Sequence, residues 1–137
     1  MTPTLTLTDT AETQLTRATI GWLTTVRADH APVSSPVWFV WSDGAVYIMS
    51  QPGAGKLRNV AANPHVSFHL DSDGYGGAIV TLEGTAELME SLPAPVEDAY
   101  FAKYEDTIRN RMGSTPEELR RSYSRVVRIV PNRIRAW

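Results

Sequence analysis

The sequence predicts a mainly β chain that closes, fully or in part, into a small antiparallel barrel. Three observations carry this reading. Short segments rich in β-branched and aromatic residues follow one another from Thr19 to Leu88, with turn signals between them, as expected of hairpins in series. One helical stretch then intervenes before the last strand. After it an alternating pattern resumes at Ser124 and continues to the end of the chain. The count is six to seven strands and a few short helices, with no internal repeat.

In order along the chain, Asp9 with Glu12 three residues on makes a capping-box signature, so a short first helix starts there with Leu15, Ala18 and Thr19 on one face. Thr19 to Val26 reads as the first strand and Arg27 to Ala31 as a turn. Val33 to Trp41 reads as the second strand. Pro32 and Pro36 cannot donate to a ladder, which makes it an edge or bulges it near Pro36. Ser42-Asp43-Gly44 is a hairpin turn leading into a third strand, Ala45 to Ser50. A Gly-rich loop follows, and Lys56 to Ala62 has helical spacing until Asn63-Pro64 stops it. His65 to Asp71 and Ala78 to Leu88 are the next strands, with Gly84 a bulge or point of close approach. Pro93 to Tyr104 reads as a helix with Val96, Ala99, Tyr100 and Lys103 on one side. Thr115-Pro116-Glu117-Glu118 starts another, by its N-cap, its N1 proline and its N3 glutamate. Ser124 to Val130 is the last clear strand, Pro131 breaks it, and Arg133 to Trp137 alternates again.

Composition narrows the function. The 137 residues, 42% of them hydrophobic, fit one domain spanning 1–137 that can bury its own core. With a net charge of -2 and charges scattered along the chain, no patch points to nucleic acid or to a membrane surface. There are no cysteines, which excludes disulfides, thiolate metal sites and cysteine nucleophiles. No basic and apolar leader and no spanning run is present, so a soluble, cytoplasmic protein is expected.

The stretch with the most chemistry is Ser50-Gln51-Pro52-Gly53-Ala54-Gly55-Lys56. Glycines expose backbone N–H groups, a helix N-terminus adds a positive dipole and Lys56 adds a full charge, a combination suited to a phosphate. It is not a P-loop, since Ser50 stands where the first glycine belongs and Leu57 follows the lysine. An ordinary surface turn with a solvated lysine is the plain alternative. Just before it, Trp38 shares a face with Val40 while Phe39 and Trp41 share the other. One face is core. The other offers an aromatic wall to a flat ligand or to a second subunit, or is itself core. His65 and His69 sit four apart on a strand, where the pair is held apart, so no metal site is expected. Glu97/Asp98 and Glu117/Glu118 lie at helix N-termini, where the dipole accounts for them. No catalytic side chain can be named.

In this order, PVWFVW, AVYIMSQ, GKLRNVAANPHVSF and IVTLEGTAEL resemble the split-barrel flavoproteins related to pyridoxamine 5'-phosphate oxidase, over Ile20 to Leu88. The block Lys56, Asn59, Asn63, Pro64, Val66 and Ser67 is the most specific part, and the terminal IRAW is similar to smaller deazaflavin-using members. The resemblance implies a six- to seven-stranded antiparallel split β-barrel and a homodimer with a cofactor in each groove between subunits. The phosphate is then held by Ser50, Gln51, Lys56 and Asn59.

FMN-binding oxidases of this type carry an arginine where this chain has Pro36, a Ser-Arg pair where it has Ala54-Gly55, and a glutamine early in the strand matching Ala78 to Glu83. Pro36-Val37-Trp38 instead resembles the branch that binds the deazaflavin coenzyme F420. The resemblance therefore implies an F420-dependent oxidoreductase, with Ser35, Pro36, Val37 and Trp38 beside the ring and Arg58 near the acidic tail of F420. An FMN-dependent oxidase or reductase, and a non-catalytic carrier of flavin, F420 or tetrapyrrole, are the alternatives. The substrate is a small molecule of undetermined identity, and Trp137 either caps a groove or finishes the core.

Overall fold

Seven strands form one antiparallel sheet in the order β2-β1-β5-β6-β7-β4-β3 in the computed structural model, which describes residues 7–137. They are β1 (Gly21–Val26), β2 (Pro32–Val37), β3 (Val40–Ser42), β4 (Ala45–Ser50), β5 (His65–Leu70), β6 (Val80–Met89) and β7 (Arg125–Ala136). Four helices accompany them: α1 (Asp9–Arg17), α2 (Gly55–Ala62), α3 (Ala94–Asp106) and α4 (Pro116–Ser122). A wider π turn, Thr107–Arg111, continues α3. No helix among the described residues is long and apolar enough to cross a membrane.

The closure of the sheet follows from its connectivity. β2 and β3 are consecutive in the chain yet occupy opposite ends of the sheet, with only Trp38 and Phe39 between them. Three Cα steps reach about 11 Å at full stretch. The sheet must therefore curl until its two edges meet at that corner, which gives the partly closed barrel expected from the residues and the split barrel that the resemblance implies. The run Val33 to Trp41, expected as one strand, is two strands for the same reason: the chain changes edges at Trp38–Phe39. The Asp43-Gly44 turn has φ of 51° and 73°, the left-handed pair a two-residue hairpin requires.

Two apolar clusters flank β4, all six of whose residues are buried. Inside the barrel lie Leu23, Phe39, Val46, Ile48, Phe68, Leu82, Val127 and Ile129, closed by Leu15 of α1 and by Leu57 and Val60 of α2. On the outer face Val40, Tyr47 and Met49 pack under Val96, Tyr100, Phe101 and Tyr104 of α3 and Leu119 of α4. Both faces of the aromatic strand are thus partly core: Phe39 and Trp41 turn inward, while Val40 and Trp38 turn to the helices.

Three local expectations change. The cap of α1 is Thr8, whose hydroxyl accepts the Ala11 N–H at 3.1 Å, so Asp9 stands one position inside the helix. On α3 the buried side includes Phe101 and Tyr104, and Ala99 is exposed, because the helix lies across both β3 and β4. Pro131 does not end the last strand, and β7 runs through it to Ala136. Its partner is Gly84, the register shifts between Glu83 and Gly84, and an added Cβ at Gly84 would lie 2.5 Å from the Val130 carbonyl oxygen. The bulge removes the ladder bond that proline cannot make, and the glycine admits the close backbone.

Candidate functional site

The corner at Trp38–Phe39 carries backbone groups that lack ladder partners, and buried N–H and C=O groups need partners. α3 supplies them from a distance in sequence. The Tyr104 hydroxyl accepts the Phe39 N–H at 2.9 Å and lies within donating reach of Thr19 O at 2.8 Å and Phe39 O at 2.9 Å. Lys103 Nζ donates to Phe39 O at 2.8 Å and stands 3.9 Å above the Phe39 ring. Trp38 stacks on the Tyr104 ring, 4.4 Å between centroids and 4° from parallel.

Beside this corner is a cavity of about 240 Å³. Pro36, Val37 and Trp38 form one wall, and Met49 of β4 with Lys56 of α2 forms the floor. The helical excursion covers it with Tyr100, Met112, Leu119 and Tyr123. Pockets for whole ligands usually run from ~300 to ~1,000 Å³, so this cavity takes part of a cofactor-sized ligand and leaves the rest outside. Burial pushes the Tyr100 hydroxyl well above its ordinary value, so it stays protonated.

Lys56 is half-buried, and burial alone holds its amine below the ordinary lysine value. Among the described residues it has no hydrogen-bonded or ion-paired partner. α2 begins without a side-chain cap at Ala54 and without an acidic residue in its first turn. A desolvated cation and an uncapped helix N-terminus at one place favour an anion. The donor set fits a phosphate.

The expected residues fall into three groups. Pro36, Val37, Trp38 and Lys56 line the one cavity. Ser35 is half-buried on β2, opposite Leu23, one residue from that wall. The others stand apart from the lining. Alternation on β4 turns Met49 to the cavity and Ser50 to the barrel interior, where Ser50 is 2% exposed and its hydroxyl donates to Gln51 O at 3.0 Å. Gln51 and Arg58 are exposed. Asn59 donates through Nδ2 to Thr25 Oγ1 at 3.0 Å, tying α2 to β1.

Met49, Tyr100, Met112, Leu119 and Tyr123 were not expected at the site. A cap at Thr115 marked the start of α4, but no local pattern says which of its faces folds back over the corner. His65 and His69 are exposed on β5, and His69 stacks on Trp22 at 6.4 Å. No three acidic or imidazole side chains among the described residues gather as a metal site would require.

A family model described as pyridoxamine 5'-phosphate oxidase matches residues 7–137. A conserved hypothetical protein from Mycobacterium tuberculosis superposes with a TM-score of 0.75 at 25% identity, over 96% of this chain and 85% of that one. An F420 reductase superposes with a TM-score of 0.68 at 22% identity, over 90% of this chain and 94% of that one. The heme storage protein HutZ from Vibrio cholerae also gives 0.68, at 18% identity, over 86% and 85%. The last two likenesses speak to the fold alone. A search among curated proteins finds no match.

Proposed function

The chain belongs to the pyridoxamine 5'-phosphate oxidase family, and from that premise we propose that it is an F420-dependent oxidoreductase acting on an electron-poor organic substrate. The observation that carries the reading is the cavity in which Pro36, Val37 and Trp38 meet an unpaired, half-buried Lys56. Coenzyme F420, when bound, supplies a hydride from its deazaflavin ring. The protein's part is binding, orientation and exclusion of water. Backbone groups from Ser35 to Trp38 face the ring, and Trp38, held flat by Tyr104, fixes its plane. Lys56 and the first turn of α2 hold the phosphate, with Ser50 at the end of β4 and Gln51 after it shaping the loop, the Ser50 hydroxyl being already engaged with Gln51 O. Arg58, exposed on α2, reaches the acidic tail, and Asn59 contributes by fixing α2 on β1. A homodimer completes the groove outside the cavity.

F420 is favoured over FMN by Pro36 and by Ala54-Gly55, which remove the arginines of the FMN pattern. A carrier is the second reading, favoured by a cavity wall with neither carboxylate nor imidazole to commit the site to acid–base chemistry. Titration of the purified protein with F420 and with FMN, followed by fluorescence, tests the cofactor. Tight FMN binding without F420 binding overturns the choice. Oxidation of reduced F420 in the presence of quinones, nitro compounds, unsaturated lipids or tetrapyrroles then separates a reductase from a carrier. Light scattering checks the dimer, and a strict monomer of intact fold overturns the shared groove.

A further inference from the structure

We infer that Arg125, at the start of β7, is a second cationic contact for the phosphate held at the Ser50–Gly55 loop. This rests on reading that loop as a phosphate cradle. The register of β4 and β7 sets Arg125 directly opposite Ser50. Side chains directly opposite in an antiparallel pair leave the same face with Cβ atoms roughly 4.5–5.5 Å apart. That face is the barrel interior, since Ile48 and Val127, the next residues on it, belong to the inner cluster. α2 closes the same cluster with Leu57 and Val60. Arg125 therefore stands at the barrel end that the loop and α2 cover, beside the strand end from which the loop departs.

Its Nε is buried and has no hydrogen-bond partner, the one such side-chain atom among the described residues. Among the described residues Arg27, Arg109, Arg120 and Arg128 each meet a carboxylate, while Arg125 meets none and is set apart from the other unpaired arginines by its buried Nε. A guanidinium is always charged and has five donors, so its buried, unpaired Nε leaves room for an acceptor from outside the chain. Lys56 approaches the loop from the cavity side of β4 and Arg125 from the interior side. The cation absent at Pro36 and at Gly55 is thus replaced from the last strand, at a position no loop motif includes.

The test compares wild type, Arg125→Gln and Arg125→Lys by fluorescence titration, using F420 and the same deazaflavin with its ribityl chain but neither phosphate nor acidic tail, and FMN against riboflavin as the pair that differs in the phosphate alone. Arg125→Gln is expected to weaken F420 on the order of tenfold or more while leaving the phosphate-free ligand unchanged, and Arg125→Lys to recover part of the loss. Equal F420 affinity in wild type and Arg125→Gln, or an equal loss for both ligands, overturns the inference and makes the arginine structural. A wild type that binds both ligands equally overturns the cradle itself. If neither deazaflavin binds, FMN against riboflavin reads the same difference. Thermal unfolding of the ligand-free variants shows which are folded, and Arg125→Lys alone decides the matter if Arg125→Gln is not.

Discussion

Tyr104 Oη accepts the Phe39 N–H at 2.9 Å, so a side chain of α3 does at the barrel corner what a neighbouring strand does elsewhere. The same hydroxyl reaches Thr19 O, which ties the entry to β1 to that corner as well. Burial raises its pKa to about 12, which keeps it a donor across the working range of pH.

Tyr104→Phe keeps the ring under Trp38 and removes only the hydroxyl. The Phe39 N–H then has no partner, and an unsatisfied buried donor costs about 1–3 kcal/mol. Urea unfolding should show a loss in that range, with cofactor affinity reduced because Pro36 to Trp38 are no longer held. A loss below about 0.5 kcal/mol would mean that water replaces the hydroxyl at the corner.

Lys103 gives the corner a pH dependence. Burial pulls its amine down to about 8 from an ordinary 10.5. Below pH 8 the folded protein carries a desolvated charge that the unfolded chain solvates freely. Between pH 8 and 10.5 the unfolded chain binds a proton that the folded one lacks, so stability rises with pH through that window. Lys56 shifts in the same direction, while Tyr100 and Tyr104, raised by burial, lower stability only above their ordinary value of 10. The measurement is therefore the difference between wild type and Lys103→Met from pH 7 to 10. A flatter profile in the variant is expected, and parallel profiles would assign the slope elsewhere.

Gly84→Ala would set a Cβ 2.5 Å from Val130 O and 3.0 Å from Pro131 Cα. Both neighbours are backbone and cannot swing aside, so overpacking of about 1–3 kcal/mol is expected in chemical unfolding. Wild-type stability in this variant would show that β7 is free to slide at its bulge.

Much of this was legible in the residues. Alternation, Asp43-Gly44, Gly84 and the caps at Thr115 and Asn63-Pro64 are local signals, and the strands, the hairpin, the bulge and α2 lie where they point. The corner at Trp38–Phe39 was not legible, because VWFVW is continuously apolar and β-forming while the change of edge is decided by which strands meet across the whole sheet. Pro131 misled for the same reason: whether proline is tolerated depends on Gly84, forty-seven positions away by the numbering. At the candidate site the grouping of Pro36, Val37 and Trp38 with Lys56 around one cavity could be read. The cover of Tyr100, Leu119 and Tyr123 could not, because it depends on how α3 and α4 fold back.

Thr115→Ala tests that cover. The Thr115 hydroxyl accepts the Glu118 N–H at 3.2 Å and starts α4, which brings Leu119 to the cavity and leads to Tyr123. Loss of such a cap costs about 1 kcal/mol. Global stability should fall by that amount, and amide exchange in α4 should accelerate more than in the barrel strands. Uniform acceleration would show that α4 opens only with the whole fold.

Lys56→Ala separates the phosphate cradle from a plain surface turn. The amine is desolvated and unpaired without ligand, so removing it relieves a cost in the free protein, and the ligand-free variant should be no less stable than wild type. With F420 the variant gives up a charge-assisted contact worth roughly 1.5–3 kcal/mol, a loss of tenfold or more in affinity. The two effects have opposite signs, which distinguishes a binding residue from a structural one. A variant that is destabilised without ligand yet binds F420 as wild type does would place the phosphate away from α2.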